Sequence, residues 1–507
     1  PFTVAELGFG TGLNMLAVLD LWKKCRPAGA TLRLFSVEAH PLPRAMAAQA
    51  LGRYPQLAPL AAMLLAQWPA PRRGVVRLDF PEAGATLDLF LMEALDALGA
   101  WQGKADAWFL DGFAPARNPD MWRPDLLRLV GLKSQPGARA ATWSVAAGVR
   151  HGLAAAGFQV ERLAGFGAKR QRLRAVLPGE RRAAALPSVA IVGAGIAGAA
   201  LARAFGAFGV APRLFASGPM ASANPAALVM PRLASASAVA SALHAQAFLR
   251  AVQLIRRTAP QAILASGAVQ WLKREEGERA ARSIESGLYP EGALVLDGDR
   301  LLVRDGLVVA PQLLRACWLP EVSERPVPAP VRTGAGWRLG DEGPFDRVVL
   351  AAGYGTMALS GLPLRAVRGQ VTTAEVPFSG TPESWGGYLI PTATGLLFGA
   401  THGRDDADGA VRAGDEAVNV AALAQHRPEV AAALSARPLR SFAGVRAATG
   451  ANQPVAAELQ PGLYALTALA GRGFALAPLL AEHVAALALG APSPVPEQAA
   501  RMLDRMR

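Results

Sequence analysis

The chain has 507 residues, 52% of them hydrophobic and 18% charged, with a formal net charge of +13. That length exceeds one ordinary core and implies two or three domains. No uninterrupted run of about 18 apolar residues marks a membrane span, and no charged-then-apolar leader stands at the start. Two distant cysteines, Cys25 and Cys317, and six scattered histidines fit no disulfide or metal framework, so the expected setting is a reducing cytoplasm without a bound metal.

The charge is uneven. Lys and Arg outnumber Asp and Glu by 23 to 14 before residue 188 and by 29 to 25 after it. A polyanion such as RNA would be attracted by that field. A GC-rich genome that favours arginine accounts for the excess equally well.

The first segment, "FTVAELGFGTGLNML", reads as a strand, a glycine-rich turn and a helix. Its first strand starts at residue 2, and further sequence is expected ahead of it. The turn has the pattern E-x-G-x-G-x-G, formed by Glu6, Gly8, Gly10 and Gly12. Glycine lets a backbone approach a nucleotide, and the helix N-terminus faces it. The acid that precedes the glycines suits the methionine end of S-adenosylmethionine. Glu38 follows "LRLFSV" at the next strand tip, where a carboxylate would hold a ribose diol. Glu93, in "DLFLMEAL", is placed for the adenine, and Asn14 in the first helix completes the cofactor set.

The strand "ADAWFLDGFAP" (105–115) delivers Asp111, Phe113 and Pro115 to its C-terminal tip. This D-x-F-x-P cluster resembles the acid/aromatic/proline motif of amine N-methyltransferases. There, acceptors aim the lone pair of the amine at the methyl donor. A buried loop Asp that caps the following turn is the structural alternative. "ARAATWSV" and "QRLRAVLP" read as the late strands of a doubly wound α/β domain spanning 1–178. The basic "GFGAKRQRLR" (165–174) lies between them. The charged, proline-bounded stretch at 179–187 reads as a linker.

A second strand–turn–helix unit, "VAIVGAGIAGAAL" (189–201), carries Gly193, Gly195 and Gly198 in a true G-x-G-x-x-G, the dinucleotide fingerprint. The ribose acid expected about 20 residues on is replaced by Ser217, which weakens an NAD reading and leaves FAD. "RVVLAAGYGT" (347–356) closes on Gly353. "ALTALAGRGFALAPLLAEHVAALALG" (465–490) holds Gly471, Arg472, Gly473 and Phe474 in a third turn that leads a helix. Such a turn presents N–H groups and a dipole to the electron-rich end of a flavin. With Asn224, these residues form the expected FAD set of a domain spanning 188–490. Three glycine turns at this spacing match the glycine-oxidase class of flavin amine oxidases.

"LRAVRGQVTTAEV", "GYLIPTATGLLFGATH" and "SFAGVRAATGANQP" resemble the substrate-domain strands of glycine oxidase. An antiparallel-sheet substrate subdomain is therefore expected at about 265–400. In that family the arginine of the last motif grips the substrate carboxylate; here it is Arg446, with Arg472 and Arg404 as other candidates. Residues 491–507 read as an appended tail with a short helix.

Together "ELGFGTGLN", "DAWFLDGFAPARNPDMW", "GLAAAGFQVERLAGFGAKRQRL" and the FAD half resemble the MnmC family of bifunctional tRNA 5-methylaminomethyl-2-thiouridine biosynthesis proteins over nearly the whole chain. The resemblance implies a Rossmann-like methyltransferase domain followed by a glycine-oxidase-like FAD domain. It also implies that the FAD half removes the carboxymethyl group of 5-carboxymethylaminomethyluridine at the tRNA wobble position, releasing glyoxylate. The other half then methylates the exposed nitrogen from S-adenosylmethionine. Two departures stand out: the family has more sequence before the first strand, and it usually carries an acid after the arginine motif, where this chain has Asn452. The rival readings are a fused small-molecule amine oxidase and methyltransferase without an RNA partner, and a cofactor-binding scaffold without chemistry.

Overall fold

The first hexapeptide, Phe2–Leu7, is apolar except at Thr3 and Glu6 and forms strand β1. It lies at the centre of an eight-stranded sheet completed by β2 (Leu32–Val37), β3 (Gly74–Phe80), β4 (Ala85–Leu91), β5 (Ala105–Leu110), β6 (Ser134–Thr142), β7 (Gln159–Ala164) and β8 (Gln171–Val176). The order is β3-β4-β2-β1-β5-β6-β8-β7. β1 runs parallel to both β2 and β5, so the strand order reverses at β1. In an open α/β sheet the ligand crevice lies beyond the carboxyl ends of the strands at that reversal. β2 and β4 are buried at every position, as parallel strands covered on both faces must be. Phe35 stacks on Trp101 at 4.4 Å, and both are essentially solvent-free. The computed structural model describes all residues except 113–116, 168–169, 182–184, 217, 436 and 505–507. Phe113, Pro115 and Ser217 therefore lie outside the described residues, as does part of the linker stretch.

The chain divides into two compact units. The first is Pro1–Leu186 with Ala207–Gly209 and Leu489–Gln498; the second is Pro187–Gly206 with Val210–Ala488 and Ala499–Arg507. The stretch after residue 490 is therefore not an appended tail. Ser493 pairs with Gln102, whose Nε2 donates to Val495 O at 2.7 Å, and Val495 is fully buried. Satisfying backbone polar groups and burying an apolar side chain hold this segment in place.

In the second unit, β9 (Val189–Val192) and β10 (Arg213–Ala216) sit in a six-stranded sheet. β9 is flanked by β10 and by Arg347–Leu350, which in turn pairs parallel with Leu463–Thr467. The unit also holds a ten-stranded sheet and a small three-stranded one formed by Val331–Thr333, Gly336–Leu339 and Glu342–Phe345. The strands of the ten-stranded sheet come from 227–309 and 365–448, not from one insertion at 265–400. The chain leaves this sheet after Val309. It contributes Val322–Glu324 and Arg347–Leu350 to the nucleotide-binding sheet, and returns at Arg365. The strand Leu439–Ala448, which carries Arg446, pairs along its whole length with Arg365–Ala374.

Two helices of this unit, Ala238–Thr258 and Ala470–Leu489, have the length and apolarity of a membrane span, which the sequence reading did not detect. About two thirds or more of each is buried within the unit, as in core helices. The Glu482 carboxylate accepts from Arg203 at 2.5 Å and from Arg250 at 2.6 Å, pairing the charges these helices bury.

Candidate active sites

The first site is built at the tips of β1, β2 and β5. Glu6 is the penultimate residue of β1 and has no solvent exposure. Its Oε2 accepts from Ser36 Oγ at 2.8 Å and its Oε1 from Asn14 Nδ2 at 2.9 Å. The same amide nitrogen donates to Asp111 Oδ2 at 3.0 Å, so one asparagine bridges two carboxylates from different strands. Burial pushes the Glu6 carboxyl up to about 8, against the hydrogen bonds from Ser36 and Asn14 that favour its ionised form. Asp111 is exposed at the mouth of the crevice.

Glu38 accepts from Gly10 N and from His40 N, both at 2.9 Å, and so steadies the glycine turn. Gly8, Gly10 and Gly12 all have positive φ, and the helix Leu13–Cys25 starts directly after them. Glu93 is exposed at the N-cap of Ala94–Ala100, one strand over from Glu38. The structure thus gathers Glu6, Asn14, Glu38, Glu93, Asp111 and the three glycines at one sheet edge. Ser36 is the member that sequence reasoning missed; nothing local distinguishes it from an ordinary strand serine.

In the second unit the three glycine turns converge. A Cβ on Gly193 (φ +117°) would lie 2.3 Å from Ala351 O, which brings the first turn against the strand leading to Gly353. A Cβ on Gly198 would lie 1.8 Å from Gly193 O, so the helix can approach its own turn only through glycine. A Cβ on Gly473 would lie 3.2 Å from the Ile196 side chain, which places the third turn beside the first. Gly193, Gly195, Gly353 and Gly471 remain accessible while the strands behind them are buried, so they line a groove. Ile196 N at the helix start donates to Ser222 Oγ at 3.0 Å. Asn224 lies half-buried ahead of Ala227–Val229, and Phe474 half-buried in the first turn of Gly473–Leu489.

Arg446 reaches this groove. A Cβ on Gly471 would lie 3.2 Å from its Nη1, and one on Gly369 only 2.3 Å from its Nη2. The guanidinium therefore lies across Gly369 of the paired strand and ends at the third glycine turn. Its Nη2 is buried with no hydrogen-bond partner among the described residues. Burial pulls the Arg446 pKa down, while Tyr388 supports the charge. Burial, Arg446 and Arg404 together hold His402 below the usual imidazole range. Tyr388 and His402 were not picked out from sequence; they reach Arg446 only through strand pairing. Arg472 Nη1 donates to Pro231 O at 3.2 Å, and Arg404 is exposed. A buried donor without a partner is costly unless a ligand satisfies it. An anionic group bound beside the converging glycine turns meets that need.

These features define a fused pair of enzymes, an S-adenosylmethionine-dependent methyltransferase followed by an FAD-dependent oxidoreductase. Residues 55–178 match the S-adenosyl-L-methionine-dependent methyltransferase family, and residues 188–487 match the FAD dependent oxidoreductase family. The second fold is also that of iminodiacetate oxidase from Chelativorans sp. BNC1 (TM-score 0.51, 20% identity, 62% of this chain and 98% of that one). Glycine oxidase from Geobacillus kaustophilus shares it too (TM-score 0.51, 22% identity, 60% and 94%). The chain belongs to the MnmC family of tRNA 5-methylaminomethyl-2-thiouridine biosynthesis bifunctional proteins. It is 45% identical to the member from Caulobacter sp. (strain K31), over 99% of this chain and 89% of that protein. It is 38% identical to the member from Maricaulis maris, over 96% and 84%.

Proposed function

We propose that the chain converts the wobble uridine of tRNA in two steps. The carboxymethyl group is first removed oxidatively from 5-carboxymethylaminomethyluridine. The resulting aminomethyl nitrogen is then methylated. The observation that carries this reading is the buried Nη2 of Arg446, without a hydrogen-bond partner among the described residues, beside the Gly471 turn. A planar guanidinium there suits the substrate carboxylate and fixes the carbon to be oxidised.

FAD held along Gly193, Gly195, Gly198, Gly353 and Gly471–Phe474 supplies the hydride acceptor, and S-adenosylmethionine at Gly8–Gly12 the methyl group. Asn224 adjoins the flavin groove. Water consumes the oxidised C–N bond, so glyoxylate and the free amine leave. Arg446 orients the carboxylate, with Tyr388 beside it. Asp111 accepts the N–H bonds of the amine and aims its lone pair, with Phe113 and Pro115 assigned to the same pocket from sequence. Glu38 takes the ribose, Glu93 the adenine side, and Glu6 the methionine end. Such a substrate places the reaction in the cytoplasm. Mass spectrometry of wobble nucleosides from cells lacking the gene tests the reading: the carboxymethylaminomethyl form should accumulate, and an unchanged nucleoside profile would overturn it.

Asp111→Ala is expected to stop methylation and leave oxidation intact, so that aminomethyluridine accumulates in tRNA digests. Loss of the oxidised intermediate as well would show that the two halves are assigned wrongly. Glu6 gives a pH test. Its free carboxyl, raised to about 8, is mostly protonated at neutral pH. The cationic end of S-adenosylmethionine favours the carboxylate, so binding releases a proton. Affinity should therefore rise with pH up to about 8, by at most ~10-fold per unit, and then level off. Calorimetric titration of Glu6→Gln should show a flat profile; a slope that persists would place the titration elsewhere.

A further inference from the structure

Two cations in the second unit, Arg232 and Arg279, are used by neither step, and Arg472 of the third glycine turn lies with them. Arg472 Nη1 donates to Pro231 O at 3.2 Å, and Arg279 Nε to Ala234 O at 3.0 Å. Arg232 lies between those two acceptors, and its Nη1 donates to His244 Nε2 at 3.0 Å. Three guanidiniums thus converge on the single loop 231–234. None of the three has a carboxylate partner among the described residues. Burial, and then the Arg279 charge, pull the Arg232 pKa down. For Arg472 only the Tyr289 hydroxyl opposes Arg232 and Arg279. His244 is held neutral, its pKa brought down to about 3 by burial and then by Arg232 and Arg472, so it contributes an acceptor and no charge.

Mutually repelling cations held together without an acid are costly, and an anion that joins them removes that cost. The cluster is half-buried at Arg232 and Arg279, and burial is also the largest cause that pulls the Arg472 pKa down. It begins one residue from Gly471, the residue that faces Arg446 Nη1. An anion joining these cations would therefore lie next to the carboxylate grip. The flavin diphosphate is already provided for by the Gly193–Gly198 turn at its helix N-terminus.

We propose that Arg232, Arg279 and Arg472 form a phosphate subsite of the oxidase, which grips a backbone phosphodiester of the tRNA next to the wobble nucleotide. This rests on the reading of the chain as a tRNA oxidase. Guanidinium forks match phosphate oxygens in pairs, and the charge they supply holds the RNA while Arg446 positions the base substituent.

The test compares two substrates across a range of NaCl concentrations: tRNA bearing 5-carboxymethylaminomethyluridine, and the free nucleoside, which has no phosphodiester. For Arg232→Gln, KM for tRNA is expected to rise about tenfold with kcat within about twofold. The slope of log kcat/KM against log salt should fall by ~0.7–1 for the lost contact. Arg232→Lys should keep the salt slope and recover part of the KM. The nucleoside, lacking the phosphate, should lose far less than the tRNA. Equal losses on both substrates would overturn the subsite, as would a tRNA KM and salt slope unchanged in the variant. A shifted flavin reduction potential with an unchanged tRNA KM would also overturn it, placing the cluster against the flavin. If Arg232→Gln does not fold, Arg279→Gln carries the same readouts. Failure of the wild-type enzyme to oxidise either substrate would refute the underlying function; normal wild-type turnover with unaffected variants would refute the subsite alone.

Discussion

Protein carrying Gly195→Asp is expected to purify colourless and to stay colourless after incubation with excess FAD. Gly195 is half-exposed in the turn before Ile196, whose backbone N–H opens the helix. Any side chain there meets Ser222 Oγ at 3.1 Å. A carboxylate would also occupy the place where the helix N-terminus and the turn N–H groups receive a diphosphate. Steric and electrostatic effects act in the same direction, so flavin content should fall from about one per chain to none. Gly195→Ala separates the two: it adds the contact without the charge and should retain part of the flavin. Absorbance near 450 nm against protein concentration reads both. A Gly195→Asp protein that still holds a full complement of FAD would show that the diphosphate lies elsewhere. Methyl transfer to a pre-made aminomethyl tRNA should continue in either variant, because its cofactor belongs to the other unit.

Arg446→Lys is expected to cripple oxidation although the charge is kept. Arg446 spans from Gly369 to Gly471, with an Nη2 at one end that has no hydrogen-bond partner among the described residues. A carboxylate held by two parallel N–H bonds loses one of them when the fork becomes a single ammonium. Losing one charge-assisted bond costs about 1.5–3 kcal/mol. At the transition state that corresponds to a roughly tenfold to hundredfold drop in rate. The shorter ammonium also leaves space over Gly369, and the reacting carbon loses its fixed distance from the flavin groove. Stopped-flow flavin reduction under anaerobic conditions measures the step directly. A variant that reduces its flavin at the wild-type rate would transfer the carboxylate grip to another cation, Arg472 or Arg404. Neither has the geometry of Arg446: Arg472 is turned onto Pro231 O, and Arg404 is exposed.

What could be read from sequence was local. Glu6 lies near the end of one strand and Gly8, Gly10 and Gly12 lead from it into one helix, as Gly193, Gly195 and Gly198 do from another; both signals lie within a dozen residues. Arg446 is singled out by a sequence motif alone. Its neighbours are not. Gly369 reaches Arg446 through the register in which Val367 pairs with Arg446, a contact nearly eighty residues apart in sequence. Tyr388 belongs to a strand that joins this sheet through Gly399. Nor does a loop serine such as Ser222 announce that it will meet Ile196 N. The bounds of the substrate subdomain went astray for a related reason. The chain crosses between two sheets at Val309 and Arg365, and hydrophobic alternation does not say which sheet a strand will join. The stretch after 490 looked like a tail because Gln102, its pairing partner, lies almost four hundred residues earlier. Arg232, Arg279 and Arg472 were equally invisible as a group, since only the fold of one loop brings them together.

The central claim is that one chain performs an oxidative and a methylating step on the same nucleotide, with a separate cofactor for each. Its most direct test is a single incubation of the purified, FAD-loaded protein with tRNA bearing 5-carboxymethylaminomethyluridine, with and without S-adenosylmethionine, followed by mass spectrometry of the nucleosides. Without S-adenosylmethionine the account expects aminomethyluridine together with stoichiometric glyoxylate; with it, methylaminomethyluridine. Unchanged carboxymethylaminomethyluridine in both reactions, or a methylated product that still carries its carboxymethyl group, would contradict it.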